Sequence, residues 1–137
     1  MLNLFFPKYC NGCGAKLLKN ETILCATCRH KLPLACFHRF QDETMKNIFY
    51  GRFPIENATA LIQFQKQGIT QQIMHNLKYR GQEGIAVFFG KWLGAELSQL
   101  EAFRQIEMVV PVPLHKQRLK KRGYNQVSGF GREIAKS

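Results

Sequence analysis

The sequence predicts an α/β domain placed behind a small cysteine-rich module, and three observations point there. Four of the five cysteines fall within the first 28 residues, as two C-x2-C pairs. From Thr59 onward, β-branched runs alternate with stretches of helical periodicity. The proline-broken run VVPVP (109–113) leads into five Lys/Arg within residues 116–122, and then into a further helical pattern. Strand, loop and helix in that order is how α/β domains build ligand sites at the carboxyl end of a strand.

The totals bound the reading. A chain of 137 residues suits one ordinary domain, or a small module joined to part of a larger one. With 45% hydrophobic and 21% charged residues it can bury a core, which excludes disorder by composition. Twenty Lys+Arg against nine Asp+Glu give a formal +11, which favours polyanionic or phosphorylated partners. Asp42 is the sole aspartate, so a mechanism built on an aspartate pair is excluded for these residues. The N-terminal MLNLFFPKYC has an apolar stretch of about five residues, short of the roughly 7–15 of a signal peptide. No stretch approaches the ~20 apolar residues of a membrane span. Cytoplasmic residence is the expectation, and cysteines there act as metal ligands or free thiols more than as disulfides.

Residues 1–40 read as a zinc ribbon. Cys10-Asn11-Gly12-Cys13 and Cys25-Ala26-Thr27-Cys28 are separated by eleven residues. Two residues between thiolates let one tight turn aim both sulfurs at one ion, and the intervening loop brings the second pair round to complete a tetrahedron. Gly12 and Gly14 suit the first turn; the second has no glycine. A closed four-cysteine site is structural, and zinc with four thiolates carries −2, which brings the chain from +11 to +9. His30 is a spare candidate ligand that four cysteines make unnecessary. Cys36-Phe37-His38 could offer a ligand to another metal, although a lone thiol beside Phe37 reads first as a small buried residue.

Residues 41–58, with Gly51, Pro54 and two polar pairs, read as a connector. Residues 59–65 alternate partly and predict a strand. Ile69, Ile73 and Leu77, with Met74, predict a helix ending near Tyr79, with His75 in a structural role. Ile85, Phe88, Phe89, Trp92, Leu93, Leu97 and Leu100 predict a second helix despite Gly90 and Gly94. Residues 106–112 predict a buried strand. Val127, Phe130 and Ile134 mark a last helix, weakened by Gly129 and Gly131 at ~1 kcal/mol each. The basic positions 116, 118, 120, 121 and 122 do not share one helical face, so they are expected in a phosphate-binding loop, with arginine forks as donors and Gly123 allowing close approach. No acid lies between Glu107 and Glu133. The chain stops inside the last helical pattern, with too little after the basic segment to complete a parallel sheet, and is expected to be a fragment or a natural truncation.

The stretch V-P-V-P-L-H-x-x-R-L-x-x-R-G-Y-N-Q, Val110 to Gln126, resembles the signature of the ComF family, competence-associated proteins related to type I phosphoribosyltransferases. Leu77-Lys78-Tyr79-Arg80-Gly81 resembles a second segment of that family, and the four-cysteine ribbon sits where many members carry one. The resemblance spans nearly the whole chain in order. It implies a zinc ribbon followed by the first part of a phosphoribosyltransferase-like α/β domain over residues 59–137. It also implies a pyrophosphate grip made by His115, Arg118, Arg122, Gly123, Asn125 and Gln126; Lys116, where the family often has proline, adds charge to it. The related enzymes complete their site with a hydrophobic strand, two adjacent acids and small Thr/Gly residues. No adjacent acid pair follows residue 43 here, so catalysis by these residues alone is not expected, and Mg2+ would enter only if such a loop were supplied.

Three functions compete. The first is a ComF-type, phosphoribosyltransferase-like protein that binds phosphoribosyl pyrophosphate or a similar phosphorylated ligand and serves uptake or processing of single-stranded DNA in natural competence. The second is a zinc-ribbon module binding single-stranded nucleic acid through charge and aromatic stacking by Tyr9, Tyr124 and Phe130. The third is an adaptor docking onto a DNA-translocating motor.

Overall fold

The structure, a computed structural model, describes residues 7–40 and 43–137. Among them are seven helices: α1 (Ala26–His30), α2 (Thr44–Asn47), α3 (Ile69–Tyr79), α4 (Gly84–Leu97), α5 (Glu101–Arg104), α6 (Lys116–Arg122) and α7 (Gln126–Ile134). β-Pairing is confined, among the described residues, to two isolated antiparallel bridges, Tyr9 with Lys16 and Leu34 with Ile62. The protein is therefore mostly helical, and the expected α/β sheet is not seen in these residues.

The helices form where periodicity places them. In α3 the four-residue spacing turns Ile73 and Leu77 inward, and Thr70 and Asn76 join them in the buried layer. His75 instead lies on the exposed face, its ring 5.3 Å from that of Tyr79. In α4, Ile85, Ala86, Phe89 and Leu93 are buried, and α7 packs along the same helix.

Glycine makes that close packing possible. A Cβ on Gly90 would lie 2.6 Å from the Phe130 carbonyl oxygen and 3.0 Å from the Glu133 Cβ. The glycines that weaken the helical reading of α4 are thus the sites where α7 approaches it. A Cβ on Gly129 would meet the Ala86 Cβ at 3.5 Å and the Val87 Cγ2 at 3.8 Å, both ordinary van der Waals contacts. Substituting Gly90→Ala should cost about 1–3 kcal/mol, because the clash is with backbone. Gly129→Ala should be neutral or stabilising by up to ~1 kcal/mol through helix propensity. Chemical denaturation midpoints moving in the same direction for both would refute this packing.

The two expected strands fail for a common reason. Residues 59–65 reach the ribbon through Ala35 N–H donating to the Leu61 carbonyl (3.0 Å) and Gln63 N–H to the Pro33 carbonyl (2.8 Å), which is one bridge and no ladder. Residues 106–112 are not buried: Ile106, Met108, Val110 and Val112 are 54–76% exposed. Alternating β-branched residues make a chain willing to be a strand, but a strand exists only with a partner for its N–H and C=O groups. Pro111 also has no donor to offer.

One hydrophobic cluster joins the two ends of the chain. Cys10, Leu17, Leu24, Cys28 and Leu32 of the ribbon pack together with Ile73, Leu77, Ile85, Phe89 and Leu93. Arg29 lies over the Trp92 ring at 5.1 Å, fastening α1 to α4. No helix among the described residues is long and apolar enough to cross a membrane.

Candidate metal centre and anion-binding helix

Cys10, Cys13, Cys25 and Cys28 converge, with all four sulfurs within 4.8 Å of one another. Cys13 Sγ and Cys25 Sγ are 3.8 Å apart, and a tetrahedron with metal–sulfur bonds of about 2.3 Å has edges of about 3.8 Å. The backbone prepares the sulfurs for negative charge. Gly12 N–H and Cys25 N–H each donate to Cys10 Sγ at 3.3 Å, and Cys28 N–H donates to Cys25 Sγ at 3.4 Å. Burial pushes the Cys10 thiol up, but the amides of Cys25, Cys13 and Gly12 outweigh it and bring it down to about 7. Cys28 goes the other way: burial and then the neighbouring thiols hold its proton on. A cation would remove that conflict by taking all four sulfurs as thiolates. The four cysteines thus fit a closed metal site such as one for zinc.

Residues the spacing does not single out shape this centre. The Glu21 carboxylate accepts from Leu18 N–H (2.9 Å) and Ala26 N–H (2.6 Å), closing the loop between the two pairs; these bonds hold its pKa below the usual carboxylate value. Asn76 of α3 donates to the Asn11 side-chain oxygen at 3.2 Å and to its carbonyl at 3.3 Å, while Asn11 donates to the Ile23 carbonyl. A polar residue on the buried face of a helix signals such a role only weakly, because its partner lies 65 positions away. His30 is exposed and is not in the cluster.

The basic segment is a helix, not a loop. His115 caps α6 by accepting from Gln117 N–H at 3.4 Å, and Gly123, at φ 80°, ends it with its N–H on the Leu119 carbonyl. Lys, Arg and Leu are good helix formers, and no residue of α6 is buried, so no amphipathic stripe is needed. Arg118 and Arg122, four residues apart, share one side of α6 beneath the His115 cap; Lys116 is exposed on another. Arg122 lies 5.5 Å above the Tyr79 ring, which joins the two segments carrying the family resemblance. No ion pair involves His115, Lys116, Arg118 or Arg122 among the described residues.

The remaining predicted grip residues are placed otherwise. Gly123 is the helix stop. Asn125 caps α7, accepting from Val127 N–H at 3.3 Å and donating to the Val112 carbonyl at 3.0 Å. Gln126 is buried and lines an apolar groove with Leu61, Leu77, Phe89 and Phe130, its side-chain nitrogen unpartnered. Tyr124 turns its hydroxyl onto the Leu77 carbonyl, so it is not a free stacking platform. Comparison with protein-family models, curated proteins and solved structures gives no match for this chain.

Proposed function

We propose that the chain is a ComF-type, phosphoribosyltransferase-related protein in which a zinc-stabilised ribbon supports a helix that binds a pyrophosphate-bearing ligand, phosphoribosyl pyrophosphate being the first candidate. The observation that supports this reading is α6 itself: Arg118 and Arg122, four residues apart on a helix that buries none of its residues, and the cap His115 have no carboxylate paired to them. Guanidinium forks match phosphate oxygens, and an unpaired cluster needs no internal salt bridge broken before it binds. Binding, not turnover, is the activity proposed for these residues, because the adjacent-acid loop of the related enzymes is absent from the sequence. The setting suggested by the motif is uptake or processing of single-stranded DNA, with a DNA-translocating motor as a partner for the ribbon. Mg2+ would enter only with a substrate loop from elsewhere.

A second reading has its own support. Lys116, Lys120 and Lys121 extend the charge around α6, and Tyr9 and Phe64 are exposed aromatics elsewhere on the surface, which suits single-stranded nucleic acid. Calorimetric titration with phosphoribosyl pyrophosphate, inorganic pyrophosphate and a short oligothymidylate at several salt concentrations separates the two. The first reading expects saturable binding of the two pyrophosphate ligands. The second expects oligonucleotide binding with a log–log salt slope of roughly −3 to −4 if all five cations meet phosphates, and no response to pyrophosphate. Absence of binding by all three would remove both.

A further inference from the structure

We infer that Cys36, His38 and Glu96 form a second divalent-metal site, open where the four-cysteine centre is closed. One ligand atom from each residue lies within 4.8 Å of the other two, and Cys36 and His38 are buried. The three come from distant parts of the chain. Two stand at the end of the ribbon, and Glu96 reaches across from the last turn of α4.

Each ligand is held in place by the groups around it. His38 is fully buried at its side chain, with Nε2 2.6 Å from Glu96 Oε2 and Nδ1 2.7 Å from Thr59 Oγ1. Metal-binding histidines characteristically have their second ring nitrogen fixed in this way. Glu96 Oε1 accepts from Trp92 Nε1 at 2.7 Å and from the Arg39 guanidinium, while Oε2 faces His38 and also accepts from Arg39 Nε at 3.1 Å, so a metal would share that oxygen with the exposed arginine. Cys36 is the only non-glycine described residue with positive φ, at 46°. A left-handed backbone at a side chain of this kind is strained and needs surrounding structure to hold it.

Protons balance simply. In the tautomer that carries its proton on Nε2, that proton lies between the ring and the Glu96 carboxylate, and the Thr59 hydroxyl, which accepts from His38 N–H at 3.1 Å, donates to Nδ1. When a cation enters, the His38 proton moves to Nδ1, the Thr59 hydroxyl turns to accept it, and Nε2 takes the metal. Cys36 releases its thiol proton to solvent, and Glu96 Oε2 turns from the ring to the ion. Thiolate and carboxylate together neutralise a 2+ charge, and Arg39, half exposed, keeps its charge screened by water. One sulfur, one imidazole nitrogen and one carboxylate oxygen suit Zn2+ or Co2+ and disfavour Mg2+ and Ca2+. Three protein ligands leave a fourth position for water or an exogenous ligand, as in sites where zinc acts as a Lewis acid.

The test begins with the full chain carrying one equivalent of zinc, into which Co2+ is titrated. A second equivalent should bind and give a thiolate-to-cobalt charge-transfer band, with the zinc equivalent retained. Cys36→Ser should abolish that band, and Thr59→Val should weaken the second equivalent about 10-fold or more while leaving the first unchanged. Saturation at one metal per chain in the unsubstituted protein would overturn the inference without recourse to any variant. So would a band that survives Cys36→Ser while zinc is displaced, since cobalt would then be exchanging into the four-cysteine centre.

Discussion

Stripping the metal from the four-cysteine centre is expected to unfold the ribbon and loosen the helices beneath it. Structural zinc in small modules contributes an apparent 10–16 kcal/mol or so, comparable with or larger than the roughly 5–15 kcal/mol of a whole domain. Without it, Cys28 and Cys10 are buried sulfurs with no compensating ion. The loss should travel, because Leu17, Leu24 and Leu32 share one cluster with Ile73, Ile85 and Phe89. Asn76 would also lose its buried partner, Asn11. Amide hydrogen exchange should show protection collapsing across residues 10–36 after chelation and falling along α3, with both restored by added Zn2+. Cys10→Ser should reproduce the chelated pattern. Unchanged protection and an unchanged melting temperature in metal-free protein would mean that the four sulfurs cluster without a structural ion.

The Arg118→Ala, Arg122→Ala double variant should lose binding of phosphoribosyl pyrophosphate by about 100-fold or more. Each charge-assisted hydrogen bond to phosphate contributes about 1.5–3 kcal/mol, so losing two is worth about 3–6 kcal/mol, with every 1.4 kcal/mol a factor of ten. Fold should survive, because alanine is the best helix former and no residue of α6 is buried. Arg122 also covers Tyr79, so Tyr79→Ala should weaken binding modestly by freeing that guanidinium. Lys116→Ala on another side of α6 should change the salt dependence more than the affinity at physiological salt. Equal losses from Lys116→Ala and from the arginine pair would indicate a diffuse cationic surface in place of a shaped grip.

Helices α3, α4 and α7 and the four clustered cysteines were legible in the residues because both signals are local. Ile69, Ile73 and Leu77 define a helix by their own spacing, and α3 ends at Tyr79 as that spacing predicts. Two residues between cysteines make a ligand pair whatever surrounds them. The strands were not legible in the same way. The β-branched run at 106–112 states a preference that only a partner can satisfy, and among the described residues that partner is not found. The reading of 116–122 as a loop erred from the opposite direction: it required an amphipathic stripe of a helix that buries nothing. The meanings of Gly90 and Glu96 were hidden because each depends on what lies across from it, the Phe130 backbone in one case and His38 with Arg39 in the other.

The sequence by itself determined the four-cysteine ligand set, the cores of α3, α4 and α7, and a basic stretch without a single acid. All of these follow from composition and short-range spacing. Only the tertiary structure decided that the ribbon and the helices share one hydrophobic cluster, and that Arg122 stands over Tyr79. It alone brought Cys36, His38 and Glu96 together. Contacts between residues tens of positions apart depend on how faces pack once elements have formed, and packing leaves no period in the sequence to read.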